Sequence, residues 1–174
     1  MSSGQQILPP HLEKQKKIVL ASGAFDLVHY AHIRFLEEAK KVGGKNAHLI
    51  VVVARDKTIM KLKGKKPIIP EDQRRAIVES LKPVDEAILG YEDLSFIDTI
   101  KKLNPDIIAF GYDQSSIEEE VMKVIQSGKL KVQVIRIGHF GQVDLDSSSK
   151  IKRKILNEKR NKPVSTHFKV VTFK

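Results

Sequence analysis

The chain has 174 residues, of which 41% are apolar, the size of one domain with enough side chains for a real core. It contains no cysteine, which excludes disulfides, thiolate metal sites and cysteine nucleophiles; any bound metal would need oxygen or imidazole ligands. The net charge of +10 favours anionic ligands, although both signs are intermixed and much of the charge is ordinary solvated surface. No apolar run approaches the roughly 20 residues that span a bilayer, and Met1 to Lys17 holds no stretch resembling a signal peptide, so a cytoplasmic protein without membrane insertion is expected.

From Lys17 onward, short apolar runs alternate with longer amphipathic segments, the pattern of parallel strands joined by helical crossovers. Ile18 to Ala21 reads as a first strand. A helix follows from about His32 to Lys41, with Ile33, Phe35, Leu36 and Ala39 turned inward and Gly43-Gly44 ending it. His48 to Ala54 is a fully buried second strand, because an unbroken apolar run suits a parallel sheet covered on both faces. Lys57 to Pro70, rich in lysine, reads as a loop, and Glu71 to Leu81 as a helix with Pro70 and Glu71 suited to its first turn. Ala87 to Leu89, Ile107 to Phe110 and Val132 to Ile137 complete the strands; Ser95 to Leu103, Ile117 to Ser127 and Ser147 to Asn157 complete the helices. The expected fold is a single α/β Rossmann-like domain over 17–157, with a five-stranded parallel sheet and helices on both faces. Residues 1–16 form an N-terminal extension and 158–174 a basic C-terminal one, in which Phe168 to Phe173 alternates like a strand.

The chemistry gathers after the first strand, in Gly23-Ala24-Phe25-Asp26-Leu27-Val28-His29-Tyr30-Ala31-His32. In open parallel sheets ligands sit at the carboxyl ends of strands, and a helix N-terminus offers free N–H groups and a positive dipole end. A glycine there lets the backbone approach a phosphate. Two histidines three residues apart on one turn face the same anion and can donate to oxygens that gain charge during phosphoryl transfer.

This run resembles the Gly-Thr-Phe-Asp-x-x-His-x-Gly-His signature of the cytidylyltransferase-like nucleotidyltransferases, with Ala24 in place of threonine and Ala31 in place of glycine. Lys61-Leu62-Lys63-Gly64-Lys65-Lys66-Pro67 resembles the lysine loop of that family, and Arg74 matches an arginine its members place near phosphate. Gly111-Tyr112-Asp113 is similar to a turn beside the nucleoside, although Asp113 suits a helix cap equally. Asp146-Ser147-Ser148-Ser149-Lys150-Ile151-Lys152 resembles a second signature, Ile-Ser-(Ser/Thr)-(Ser/Thr)-x-Ile-(Arg/Lys), whose hydroxyls and N–H groups hold phosphates with Lys150 or Arg153 supplying charge.

The resemblance implies in-line attack by an acceptor phosphate on the α-phosphorus of a nucleoside triphosphate, with release of pyrophosphate. His29, His32 and Lys63 become the catalytic candidates. Gly23, Ala24, Phe25, Asp26, Lys61, Arg74, Gly111, Asp113, Ser148, Ser149 and Arg153 join the histidines as nucleotide-binding candidates. Magnesium is expected to arrive on the triphosphate, with Asp26 as an outer partner and no metal ligand set of the protein's own. The wording Val-Ala-Arg-Asp-x-Thr and Pro-Asp-Ile-Ile-Ala-x-Gly-Tyr-Asp-Gln looks like that of archaeal FAD synthases, which implies ATP and FMN as substrates. A cytidylyltransferase using CTP and glycerol 3-phosphate or another small alcohol phosphate stays open. So does a nucleotide- or RNA-binding module with reduced catalysis, since the tail is basic. A homodimer is implied by the resemblance alone.

Overall fold

The computed structural model describes residues 16–92, 95–141 and 145–160. The elements run β1 (Ile18–Gly23), α1 (Tyr30–Val42), β2 (His48–Val53), α2 (Asp56–Lys63), α3 (Glu71–Glu79), β3 (Glu86–Leu89), α4 (Phe96–Leu103), β4 (Ile107–Phe110), α5 (Ser115–Gln126), β5 (Gln133–Arg136) and α6 (Ser148–Arg160). The five strands form one parallel sheet in the order β3-β2-β1-β4-β5. The chain therefore winds outward from β1 to β3, then returns across β1 to add β4 and β5 on the other side.

Strand periodicity sorts the core into two layers. Val19, Ala21, Leu49, Val51, Val53, Ile107 and Ala109 pack on one face with Leu36 and Ala39 of α1 and Val78 of α3. Leu20, Ile50, Val52, Ile108 and Phe110 pack on the other with Ile100 of α4 and Val121 of α5. Both faces are covered, which is why β2 and β4 read as continuous apolar runs.

Two boundaries differ from the reading of the sequence in ways that matter. Helix α1 starts at Tyr30, so His29 is its N-cap residue and His32 lies in its first turn. The segment after β2 is not a simple loop: α2 occupies 56–63, with Ile59 buried beneath it, Asp56 in its first turn and Gly64 closing it at φ 68°. The left-handed conformation at Gly64 suits glycine, and its N–H bonds to the Met60 carbonyl. The strand-like alternation at 168–173 lies outside the described residues.

Candidate active site

The sheet's winding reverses between β1 and β4, and a cleft of about 550 Å³ opens there, at the carboxyl ends of the strands. Its shape begins with a strained turn. Phe25 adopts a left-handed conformation, φ 48°, and folds its buried ring back over Gly23. A Cβ at Gly23 would lie 2.8 Å from that ring, so only glycine fits. The turn delivers the chain into α1, where the His29 and His32 rings stack with centroids 3.8 Å apart and His32 leans on Phe25 at 5.1 Å.

The backbone N–H of His29 donates to His32 Nδ1 at 3.4 Å. That bond puts the His32 proton on Nε2, making this nitrogen a donor. Burial, then the neighbouring His29 and then Lys63, push the His32 pKa down to about 3; burial also lowers that of His29. At neutral pH the site thus holds two neutral imidazoles. The unfolded state takes up protons below pH 6.5, whereas folded His32 does not until near 3, so stability is expected to fall as pH drops through that interval. The paired aspartates, held below the usual carboxylate range, begin to lose their contribution only at about pH 5, which leaves the interval from 6.5 to about 5 to histidine. Urea unfolding of wild type and His32→Asn between pH 7 and 4 checks this: the wild-type slope should be the steeper.

Helix geometry decides which basic residues face the cleft. On α2, Thr58, Ile59, Leu62 and Lys63 line it together with Arg55, and Lys65 and Lys66 continue the wall. Lys61, expected beside phosphate, lies on the opposite side of the helix, two residues from Ile59, and is exposed outside the cleft lining. Arg74, matched in sequence to an arginine near phosphate, is placed in the core instead. It is fully buried, and its guanidinium donates to the carbonyls of Ile69, Ala24 and Ala54 and to Asp56 Oδ1 at 2.6 Å, which leaves no fork for a phosphate.

Asp26 is buried as well. Its Oδ1 accepts from the Ile68 and Ile69 N–H groups at 2.7 and 2.9 Å, and its Oδ2 is paired with Lys152. Burial opposes ionisation, but Lys152 and these N–H groups hold the carboxyl below the usual carboxylate range. It ties the α2–α3 loop to α6. Among the described residues no three His, Asp or Glu side chains gather as a cation site.

At the other end of the cleft, the Gly111 N–H donates to Gln114 Oε1 at 2.7 Å and Gln114 Nε2 donates to the Ser22 carbonyl at 3.0 Å, fastening β4 to β1. Gln114, not Asp113, is the N-cap of α5, and Asp113 and Gly111 line the cleft. In the serine segment, Ser148 Oγ is engaged with the N–H and carbonyl of Leu27, at 3.2 and 3.3 Å, so it anchors α6 to the β1–α1 loop. Ser149 lines the cleft with Lys152, one turn beyond Ser148. Arg153, a further 100° round an ideal helix, is exposed and does not line it. Read in register, the serine signature itself places its basic residue at 152. Asp146 replaces the isoleucine of that signature; Lys150, followed by His139, holds its carboxyl low.

The sheet order, the paired histidines and the serine helix define a family, and the sequence comparison agrees. The chain belongs to the cytidylyltransferase-like family, whose pattern matches residues 20–167. Particular relatives are narrower. FAD synthase of Methanopyrus kandleri is 45% identical over 141 residues, covering 80% of this chain and 92% of the relative. That of Ferroglobus placidus is 49% identical over 141 residues, covering 80% and 88%. A Thermoplasma volcanium structure described as a lipopolysaccharide core biosynthesis protein superposes with a TM-score of 0.64 at 41% identity, covering 72% of this chain and 98% of that one. No helix among the described residues is long and apolar enough to cross a membrane.

Proposed function

We infer that this nucleotidyltransferase is an FMN adenylyltransferase, transferring AMP from ATP to FMN and releasing pyrophosphate. The observation that carries the reading is a cleft in which His29, His32, Lys63, Ser149 and Lys152 converge at the β1–β4 switch point, in a chain 45–49% identical to FAD synthases. A phosphate oxygen of FMN forms a bond to the α-phosphorus while the bond from that phosphorus to the bridging oxygen of pyrophosphate breaks. The attacking phosphate is already largely ionised near neutral pH, so no base has to remove a proton. The protein's task is to position two anions and stabilise spreading charge. Magnesium is supplied as part of the ATP substrate, where it neutralises phosphate oxygens.

His32 donates from Nε2 to an oxygen that gains charge, with His29 and Lys63 beside it. Lys152 turns from Asp26 towards the leaving phosphates. Replacing Lys152 with alanine is expected to raise the KM for ATP by about 10- to 100-fold, the worth of one charge-assisted contact, whereas Arg153→Ala leaves it within about twofold. Steady-state kinetics with ATP varied at saturating FMN reads both. A homodimer belongs to this reading and is tested by sedimentation equilibrium. The activity itself is tested by pyrophosphate release with ATP or CTP crossed against FMN or glycerol 3-phosphate. Turnover with ATP and FMN alone is the expected result; turnover with CTP and glycerol 3-phosphate alone would replace it.

A further inference from the structure

The charges of the cleft are unevenly placed. The β4 end carries Asp113 and Asp146, whereas the wall beyond β2 carries Arg55, Lys63, Lys65 and Lys66. A second phosphate-bearing substrate is drawn to the cationic wall. The three lysines of this wall, Lys63, Lys65 and Lys66, are exposed, so their ammonium groups can follow phosphate wherever it lies. Arg55 is built differently. Its Nε donates to the Gly90 carbonyl at 2.7 Å, at the end of β3, and its Nη1 donates to Glu71 Oε1 at 2.8 Å, with Glu92 at 3.4 Å. Glu71 is itself fixed, because its Oε2 accepts the Asp56 N–H at 2.7 Å. Nη2 has no partner among the described residues. Tyr91 and Phe96 also line the cleft and add aromatic surface to it.

We propose that Arg55 is a specificity-determining residue for the acceptor, presenting its guanidinium to an oxygen of the flavin nucleotide, and that Glu71 is the positioning residue that aims it. This rests on the reading of FMN as acceptor. A guanidinium held by two fixed acceptors has lost its freedom before the substrate arrives, so its remaining N–H groups can select one acceptor geometry. The lysines attract the anion; Arg55 reads its shape.

The test is a two-substrate kinetic comparison of wild type, Arg55→Gln, Arg55→Lys and Glu71→Gln, with FMN binding measured separately by quenching of flavin fluorescence in the absence of ATP. Arg55→Gln is expected to raise the KM and Kd for FMN by about 10- to 100-fold while the KM for ATP stays within about twofold. Arg55→Lys restores charge without the fork and should recover only part of the loss. Glu71→Gln should weaken FMN in the same direction by less. Equal weakening of ATP and FMN, or unchanged FMN affinity in Arg55→Gln, would overturn the proposal. A wild-type enzyme that neither binds nor adenylates FMN would overturn it together with the functional reading beneath it. Thermal melts of the variants accompany the kinetics: an Arg55→Gln protein folded as wild type yet unaltered towards FMN counts against it.

Discussion

Arg74→Met is expected to destabilise the fold by about 3–5 kcal/mol, the usual cost of removing one partner of a buried ionic network. Arg74 is 0% exposed and serves the carbonyls of Ile69, Ala24 and Ala54 together with Asp56, so methionine would leave three carbonyls and a carboxylate without their donor. Those groups lie at the ends of β1 and β2 and in the α2–α3 loop, the three segments that frame the cleft. A loss of this size is a large share of the roughly 5–15 kcal/mol that stabilises a typical domain, and should lower Tm by roughly 10 °C. Urea unfolding and a thermal melt read it. Arg74→Lys should fall short of wild type as well, because one ammonium cannot reach four acceptors in different directions. A stable Arg74→Met protein with lost ATP affinity would mean that this side chain leaves the core to meet phosphate.

His32→Asn is expected to lower kcat by about 100- to 1000-fold, the usual worth of one donor aimed at developing charge in a water-poor site. Its ring is held by the His29 N–H on Nδ1 and by Phe25 on its flank, so Nε2 is fixed in direction. Asparagine can accept the same N–H, but its amide is too short to take the place of Nε2. The fold should persist near pH 7.5, and stability at pH 5 should match or exceed wild type, because the variant no longer holds a buried group against protonation. Lost turnover combined with gained acid stability separates a functional histidine from a structural one. Unchanged kcat would remove it from the reaction.

The parallel sheet was legible because burial on both faces writes itself as unbroken apolar runs, as in Leu49 to Val53. The histidine pair was legible because its spacing coincides with a strand-to-helix turn. Helix α2 was obscured: among its eight residues only Ile59 is buried, so lysines dominate the pattern and mask the helical period. Arg74 could not be placed from sequence, since an arginine that binds phosphate and one that binds carbonyls carry the same letter and are told apart by three-dimensional neighbours. Lys152 was available from the register of the serine signature, whereas Asp26 could not be distinguished as a structural tie, because its partners lie 42 to 126 positions away. Arg55 stood in the Val-Ala-Arg-Asp-x-Thr wording, but nothing in that run shows its partners, because Glu71 and Gly90 are brought to it only by the fold, 16 and 35 positions on.

Adenylyl transfer to a flavin phosphate is tested by following the α-phosphorus. With FMN and ATP labelled at the α-position, the account predicts that label enters a flavin product that co-migrates with FAD, while label at the γ-position leaves as pyrophosphate. A flavin product carrying γ-label, or none labelled at all while another phosphate acceptor takes the α-label, would contradict it.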